Sequence, residues 1–472
     1  MKTARSGRHT ATVEFLGATR TVTGSKHLLS VNGQRVLVDC GLYQGLKELR
    51  LRNWQSLPFR PSELDAVVLT HAHLDHSGYL PRLVRQGFDG PIYATPGTID
   101  LLGLLLPDAA HLEEEDADYA NRKGYSKHRP ALPLFTLDDA RAVLRMLRPV
   151  PYGERLDVAP GIELRFQDAG HILGSAFACF RLHLRQQART VVFSGDLGRY
   201  DQPILRDPTQ ISEADCLVLE STYGDRLHPA IDVKEQLAAI VNQTVEAGGH
   251  LLIPSFAVGR AQHLIFLVRE LEEERRIPVL PVFLDSPMAA SATRLYLTHL
   301  ENQDPAMADL VKKHAEPLTT RDFRVASSVA QSKAAMAHEG SCIVIAGSGM
   351  ATGGRILHHM GQRLPDSRTT LLFTGFQSEG TRGRRLLEGE REIKLHGAFI
   401  PVRARIAELQ NLSAHADYDE ILRWLSGFSR RPDKVFLVHG EARAAEALKT
   451  RIEQRFGGAV RVPDYAEQDG IA

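Results

Sequence analysis

The segment His-Ala-His-Leu-Asp-His, residues 71–76, brings together four side chains of the types that bind metal ions. An apolar run with two adjacent valines precedes it and is typical of a short buried strand. Residues two apart in extended backbone point to the same side, so His71 and His73 can aim at one point beyond the strand end. Asp75 and His76 follow where the chain turns and can aim at a second point nearby. Imidazoles and carboxylates suit zinc, so the segment favours a site for two metal ions over a histidine-rich surface turn.

A second pattern recurs along the chain, in which a strand-like apolar run ends in an acidic residue or a histidine. One such case carries little weight, because polar residues are common where strands turn. Several cases carry more, because open α/β folds build their sites at the carboxyl ends of strands. The residues concerned are Asp39, His71, Asp168 followed by His171, Asp196, Glu220 and His439.

Three of these residues can complete the metal site. Asp196, in Ser-Gly-Asp, could bridge two metals with its two oxygens, which one imidazole cannot do. His171, in Ala-Gly-His, would form a three-histidine face together with His71 and His73. His439, in Val-His-Gly-Glu, could supply the nitrogen that the second metal lacks, or could be a capping histidine.

The middle of the chain has a different rhythm, with strand-like runs alternating with helical patterns and few candidate ligands. This alternation favours a parallel sheet. The predicted strands are 251–253, 279–284, 342–346 and 371–373, and the predicted helices are 234–247 and 259–272. The motif-rich pattern returns near Leu412, so we predict a second α/β domain inserted into the first. The stretch 108–134 is predicted to be a solvated helix followed by a loop.

Composition is that of a soluble globular protein: 472 residues, 43% hydrophobic and 24% charged, with no apolar run near the length of a membrane span. Lys+Arg and Asp+Glu are both 57, so no overall positive charge attracts nucleic acid, and a polyanionic substrate would need a local groove and the metals. Met1 to Thr10 is polar and basic, which predicts a frayed tail and no secretory signal. The four cysteines form no Cys-x-x-Cys pair, so we expect buried reduced thiols and a cytoplasmic protein.

The order of the ligand motifs resembles the metallo-β-lactamase fold: an Asp that ends an early strand, His-x-His-x-Asp-His, a later Gly-His, then Ser-Gly-Asp. Three further motifs resemble motifs A, B and C of the β-CASP nucleases, which include bacterial relatives of the cleavage-and-polyadenylation endonuclease. They are Glu-Ser-Thr-Tyr-Gly-Asp at 220–225, Ser-Ala-His-Ala-Asp at 413–417 and Leu-Val-His-Gly-Glu at 437–441. Residues 284–289 and the glycine-rich run 347–354 are also similar to that group.

The resemblance covers nearly the whole chain and implies an α/β fold. The expected architecture is a metallo-β-lactamase αββα sandwich, formed by residues 1–211 and 394–472, with an inserted parallel-sheet β-CASP domain at 212–393. Such an insertion would place the active site in a cleft between the two domains.

The resemblance also implies the ligand sets. One zinc ion would be held by His71, His73, His171 and Asp196, and the other by Asp75, His76, Asp196 and His439. Asp39 would orient a ligand histidine or the bridging water through hydrogen bonds, with a strand-end turn former as its alternative. Asp75 and Asp39 are counted among the catalytic residues. Mn²⁺ and Fe²⁺ stay open as occupants, because affinity order alone does not decide which metal is bound.

The implied activity is hydrolysis of single-stranded RNA in the cytoplasm by a hydroxide shared between the two metals. Endonuclease action is expected, with 5′-exonuclease action left open. The departing ribose oxygen needs a proton, and His415 is the candidate general acid, oriented by Glu220. The alternative for His415 is a structural histidine outside the site.

Four residues are predicted to bind substrate phosphates. Ser255 and Arg260 lie between a strand and a helix, where an ordinary turn is the alternative. Arg355 follows the glycine-rich run and shares that ambiguity. Arg382 belongs to the densest basic cluster of the inserted domain, which could instead be a solvated face.

Two other functions compete with the ribonuclease. A small-molecule metallohydrolase of the same fold, such as a thioesterase or lactonase, accounts for residues 39–196 but not for Glu220, His415 or the inserted domain. A non-catalytic nucleic-acid scaffold would be expected to lack metal ligands, and none is missing here. The sequence leaves protein partners and oligomeric state open, a homodimer included.

Overall fold

A computed structural model describes residues 11–471 except 125, 127, 186, 314, 376 and 378. The expected frayed tail, residues 1–10, lies outside the described residues. The chain forms two compact units. The first contains the described residues within Met1–Gln202, Arg206–Leu227 and His415–Ala472, and the second contains Pro203–Leu205 and His228–Ala414. The domain boundaries drawn from the sequence stay a prediction.

The first unit contains two seven-stranded sheets. One has the order β22-β1-β2-β3-β4-β5-β6, formed by β1 (Ala11–Phe15), β2 (His27–Val31), β3 (Gln34–Val38), β4 (Ala66–Val68), β5 (Ile92–Ala94), β6 (Leu147–Pro149) and β22 (Glu467–Gly470). The other has the order β21-β20-β11-β10-β9-β8-β7, formed by β7 (Arg155–Ala159), β8 (Ile162–Asp168), β9 (Ala176–His183), β10 (Ala188–Phe193), β11 (Cys216–Glu220), β20 (Lys434–Val438) and β21 (Val460–Arg461).

The inner faces of the two sheets share one hydrophobic core. Alternate residues of the strands point inward, such as Val13 and Phe15 of β1 and Leu164 and Phe166 of β8, and all four are fully buried. Neighbouring strands β3 and β4 are parallel, as are β10, β11 and β20. Their carboxyl ends therefore meet at one edge of each sheet.

Helices surround the two sheets of this unit. They are α1 (Lys47–Arg52), α2 (Leu74–Ser77), α3 (Leu80–Arg85), α4 (Pro96–Lys123), α5 (Leu137–Met146), α13 (Tyr418–Leu425) and α14 (Ala442–Phe456). Trp424 of α13 and Leu448 of α14 pack on the second sheet. The predicted solvated helix after residue 108 is wrong in extent, because α4 begins at Pro96 and buries Ala109, Ala117 and other small residues.

The second unit is built on a six-stranded, fully parallel sheet of order β14-β13-β15-β12-β16-β19. Its strands are β12 (His250–Pro254), β13 (Pro281–Asp285), β14 (Asp322–Val325), β15 (Cys342–Ala346), β16 (Thr370–Phe373) and β19 (Arg405–Glu408), and a hairpin pairs β17 (Glu392–Leu395) with β18 (Ala398–Pro401). Its helices are α6 (Val233–Glu246), α7 (Arg260–Glu273), α8 (Pro287–Thr298), α9 (Pro305–Lys312), α10 (Val329–Met336), α11 (Ile356–Arg363) and α12 (Arg382–Leu387).

Helices pack on both faces of this sheet. Along β12, Leu251 packs in the same cluster as Leu264 of α7, whereas Leu252 packs with Met360 of α11 on the other face. The adjacent strands β12 and β15 are thus followed by helices on opposite faces. In open α/β sheets such a reversal leaves a crevice at the carboxyl ends of the strands.

The expected αββα sandwich with an inserted parallel-sheet unit is confirmed. All four cysteines are free thiols; Cys40, Cys216 and Cys342 are buried as predicted, whereas Cys179 is half-buried. Within the described residues, no helix combines the length and apolar character needed to cross a bilayer.

Candidate active site

The predicted ligands converge at the carboxyl edge of the sandwich. Asp39 directly follows β3, and the chain beyond β4 passes through His71 and His73 before α2 places Asp75 and His76 in its first turns. The second sheet contributes residues beyond β8, β10 and β20. The two edges are joined by a backbone hydrogen bond from the Ala176 amide to the Thr70 carbonyl, 2.8 Å.

The first group of ligand atoms comes from His71, His73, His171 and Asp196, and these atoms lie within 4.8 Å of one another. Asp196 Oδ2 is 3.4 Å from His71 Nε2 and 3.3 Å from His171 Nε2. His73 Nδ1 is 3.1 Å from His71 Nε2 and 3.4 Å from His171 Nε2. Three imidazole nitrogens and one carboxylate oxygen thus surround a common point.

A second group lies beside the first and comprises Asp75, His76 and His439. His439 Nε2 is 3.4 Å from Asp75 Oδ2. The second oxygen of Asp196, Oδ1, faces this group, 3.2 Å from His76 Nε2 and 3.4 Å from His439 Nδ1. The Asp196 carboxylate therefore lies between the two groups with one oxygen toward each.

The chemistry of these groups fits divalent metal ions. His76 Nε2 and Asp196 Oδ1 are buried, and neither makes a hydrogen bond within the described part of the chain. Burying a carboxylate among converging imidazoles is costly unless a positive charge is shared between them. Mixed imidazole and carboxylate sets are those that zinc prefers in proteins.

Burial and neighbouring carboxylates set the protonation of the ligands. Burial lowers the pKa of His73 to about 3 and also lowers the pKa of His71, so both imidazoles are neutral, as metal ligands must be. Burial raises the pKa of Asp196, but His439 and His76 outweigh it and hold that pKa well below its usual value. At His76, burial lowers the pKa, but Asp196 and Asp39 outweigh it and raise the pKa well above its usual value. His76 thus holds a positive charge, a proton or a metal ion, against two carboxylates.

Asp39 and Thr70 orient two of the ligand histidines. Asp39 Oδ2 lies 2.7 Å from His76 Nδ1 and accepts its proton, which leaves Nε2 to face the ligand group. The Thr70 hydroxyl donates to Asp39 Oδ1 at 3.0 Å, so its lone pairs face His71 Nδ1 at 3.2 Å. Asp39 has φ 59°, a left-handed backbone that is rare outside glycine, so the surrounding structure holds it in a strained conformation.

Thr222 orients the His439 imidazole by a similar contact at Nδ1. Its hydroxyl donates to the His439 carbonyl oxygen at 2.9 Å and can therefore accept the Nδ1 proton at 3.1 Å. This arrangement presents Nε2 of His439 to Asp75. Groups of this kind fix the tautomer and direction of metal-binding imidazoles.

His415 and Glu220 form a pair at the edge of the ligand groups. His415 Nδ1 is 3.1 Å from Glu220 Oε1, and Glu220 is fully buried. The Leu197 and Thr222 amides donate to the two Glu220 oxygens at 2.7 and 3.3 Å, which fixes the carboxylate. Burial lowers the pKa of His415, but Glu220 and then Asp196 outweigh it and raise the pKa to about 9. His415 also forms a third candidate ligand group with Asp196 and His439.

Sequence reasoning missed several residues that support this edge. His27 Nε2 lies 3.4 Å from the Ser25 hydroxyl, which in turn donates to Asp39 Oδ2 at 3.4 Å. Lys26, which lies between Ser25 and His27 in the sequence, is buried. Its ammonium group donates to the Gly41 carbonyl, and its Nζ lies 4.9 Å from the centre of the Tyr43 ring. The available signal was the polar run immediately before the apolar part of β2.

The predicted phosphate-binding residues all belong to the second unit, and two of them have guanidinium groups that donate hydrogen bonds within it. Arg355 donates to Asp285 Oδ1 and to the Ala326 carbonyl, both at 2.8 Å. Asp285 is fully buried and also lies 2.7 Å from His359 Nε2. Arg382 donates to the carbonyl of Thr352 at 2.9 Å. Arg382 therefore contacts the glycine-rich run itself, whereas Arg355 ties the residue after that run to the end of β13.

The other two lie at the crevice between β12 and β15. Ser255 is buried, and its hydroxyl donates to the Phe256 carbonyl at 3.0 Å. Arg260 begins α7 after Gly259, which has φ 81° and no side-chain cap. A Cβ on Gly375 would lie 3.0 Å from Arg260 Nη1, so the guanidinium lies against the backbone of the loop after β16.

Comparison with known proteins matches three family descriptions along the chain. The Metallo-beta-lactamase superfamily model matches residues 27–240, the Beta-Casp domain model 261–386, and the Zn-dependent metallo-hydrolase RNA specificity domain model 400–463.

Curated relatives align over most of their length. Ribonuclease TTHA0252 of Thermus thermophilus is 39% identical over 433 residues, covering 92% of this chain and 94% of that protein. Transcription termination factor FttA of Methanosarcina mazei is 33% identical over 456 residues, covering 94% and 69%. FttA of Pyrococcus abyssi is 32% identical over 471 residues, covering 95% and 69%. A crystal structure of a protein of unknown function from Enterococcus faecalis shares the fold, with a TM-score of 0.55, 15% identity and coverage of 98% and 100%.

Proposed function

Because this chain belongs to the β-CASP family of metallo-β-lactamase-fold hydrolases, we propose that it is a zinc-dependent ribonuclease that hydrolyses phosphodiester bonds of single-stranded RNA. The observation that carries the proposal is the Asp196 carboxylate, with one oxygen toward each ligand group and the His415–Glu220 pair beside it. An RNA specificity domain match over residues 400–463 supports RNA as the substrate class.

Two ions would be held by the sets predicted from the sequence: His71, His73, His171 and Asp196 for one, and Asp75, His76, Asp196 and His439 for the other. When bound, the ions supply Lewis acidity that activates the attacking water and neutralises charge on the phosphate. Asp39, Thr70 and Thr222 contact the Nδ1 atoms of three of the imidazoles, which would leave their Nε2 atoms free to bind an ion.

His415 acts as the general acid that protonates the leaving group in this proposal. Its Nδ1 proton is held by Glu220, so the imidazolium delivers its other proton from Nε2. Water attacks the phosphorus, the bond to the ribose 3′-oxygen breaks, and that oxygen takes the proton of His415. Asp75 accepts the proton that the attacking water loses. The products carry a 5′-phosphate and a 3′-hydroxyl.

In the second unit, we assign phosphate contacts to Arg260 and to the loop that contains Ser255. A guanidinium at the start of a helix, beside a crevice at the carboxyl ends of parallel strands, suits a phosphate. Arg355 and Arg382 act indirectly in this proposal, since the first guanidinium is held by Asp285 and the second by the Thr352 carbonyl of the glycine-rich run.

The test is a side-by-side assay of the zinc-loaded protein on labelled single-stranded RNA, a fluorogenic ester and a fluorogenic lactam. We expect cleavage of RNA only, abolished by a chelator and by Asp196→Ala and unchanged in His111→Ala, whose side chain is exposed on α4. Intact RNA with a hydrolysed ester would favour the small-molecule hydrolase. Consistently less than one bound metal per chain, with RNA bound but uncut, would favour the scaffold.

A further inference from the structure

The first unit contains an apolar cavity of about 180 Å³ that no step of the proposed reaction uses. Its walls include Leu425, Val435, Ile452 and Val460. Val435 lies near the start of β20, whereas the predicted ligand His439 follows the end of that strand. Four residues of extended chain separate them by roughly 13 Å, so this cavity is distinct from the ligand groups.

The volume and the apolar lining of the cavity limit the size and polarity of the group that it can hold. An apolar cavity of roughly 150 Å³ is known to hold a benzene molecule. This cavity is therefore large enough for one ring or one branched aliphatic group. A nucleobase suits it poorly, because its polar edges would lose hydrogen bonds to water without replacement.

Two positively charged side chains lie in or beside the lining of the cavity. Arg431 lines the cavity and donates a long hydrogen bond of 3.5 Å to the Phe456 carbonyl. Arg455 donates to the Ser426 hydroxyl at 3.3 Å. Within the part of the chain that the structure describes, neither guanidinium pairs with a carboxylate, whereas the adjacent Arg430 pairs with Asp215.

Two glycines of the lining leave room for the Arg431 side chain. Gly457 and Gly458 have φ 70° and 92°, which disfavours any other residue. A Cβ on Gly458 would lie 2.7 Å from Arg431 Cζ, so a side chain there would displace the guanidinium. The loop is thus shaped to keep a charged group beside an apolar space.

We propose that this cavity binds a carboxylate with a single ring-sized apolar body, with the apolar body inside and the carboxylate at Arg431. Such a group occurs in a free organic acid and at the C-terminal residue of a polypeptide that ends in phenylalanine or leucine. The shared chemistry is the apolar body joined to one carboxylate.

The test is calorimetric titration of the full-length protein with 4-phenylbutyrate and its neutral analogue 4-phenylbutan-1-ol. We expect saturable binding of one acid per chain, equal in the zinc-loaded and chelator-treated protein, so the result does not depend on the proposed ribonuclease. Arg431→Gln should weaken the acid about three- to fivefold and leave the alcohol unchanged. Ala459→Leu, at an exposed position of the lining, should abolish both, and Arg443→Gln, at a 90% exposed arginine of α14, should change neither.

Absence of saturable binding to the folded wild-type protein would overturn the proposal, as would full binding in Ala459→Leu. Displacement of 4-phenylbutyrate by uridine 5′-monophosphate or an RNA oligonucleotide would also overturn it, because the cavity would then be a nucleotide site. The tetrapeptide Gly-Gly-Gly-Phe and its C-terminal amide separate the two sources. Tighter binding of the free peptide than of 4-phenylbutyrate, with loss in the amide, supports a polypeptide end, and the reverse order supports a free acid.

Discussion

Replacing His415 with alanine is expected to slow RNA cleavage by about 10²–10⁴-fold while the fold and the bound metal stay intact. Each tenfold loss corresponds to about 1.4 kcal/mol of activation free energy, so the change removes about 3–5 kcal/mol. The reason is the leaving group: metal ions stabilise the phosphate, but they do not protonate the ribose oxygen. The Glu220→Gln variant should lose less, about 10–10²-fold, because a hydrogen bond to a charged partner is worth about 1.5–3 kcal/mol.

A substrate with a better leaving group separates this role from others. Uridine 5′-(4-nitrophenyl phosphate) releases nitrophenolate, which departs without a proton, so we expect His415→Ala to lose less than about tenfold on it. Steady-state rates on RNA and on this ester, with metal content measured for each variant, give the comparison. His111→Ala on the exposed face of α4 is the matched control and should behave as wild type. Equal losses on both substrates would refute the general-acid role, and loss of metal would make His415 a ligand.

Three other substitutions test the supporting residues. Thr222→Val should weaken metal binding about 10–100-fold in chelator competition, because the hydroxyl that fixes the tautomer of His439 is lost. Thr222→Ser keeps a hydroxyl and should restore the affinity. Equal metal affinity in the wild type and both variants would contradict this role. Lys26 has its pKa lowered by burial from 10.5 to about 8, so the folded chain releases that proton before the unfolded chain does, and stability is gained as pH rises from 8 to 10.5. Denaturant titrations should show wild type gaining about 3 kcal/mol over Lys26→Met in that range, and a constant difference would contradict the buried charge. Asp285→Asn should destabilise the protein by about 3 kcal/mol without loss of metal, because it leaves Arg355 without its carboxylate partner; unchanged denaturation midpoints would show that the pair contributes nothing.

Strand positions near the site could be predicted from the sequence because short apolar runs are a strong local signal. The apolar runs predicted to end at Glu220 and His439 correspond to β11 (Cys216–Glu220) and β20 (Lys434–Val438). The edge strand β22 was not predicted, because Glu467–Gly470 is polar and its pairing with β1 depends on tertiary contacts. The prediction covered only the charged second half of the long helix α4, because its first half is apolar and contains Pro107, which is unusual inside a helix.

The metal-binding residue types could also be predicted from the sequence, because their motifs are local. The roles of the Thr70 and Thr222 hydroxyl groups could not be predicted, because threonine is common and the groups that they contact are set by the fold. Arg355 illustrates the reverse difficulty. A basic residue after a glycine-rich run is typical of a phosphate site, yet its guanidinium contacts buried Asp285, 70 positions away in the sequence.

We propose that this protein hydrolyses RNA with departure of the ribose 3′-oxygen. The most direct measurement is incubation of the zinc-loaded protein with internally labelled single-stranded RNA, followed by mapping of both new ends. The proposal predicts 5′-phosphate and 3′-hydroxyl ends from the wild type and none from Asp196→Ala. Products with 5′-hydroxyl and cyclic or 3′-phosphate ends would contradict it, because the 5′-oxygen would then be the leaving group.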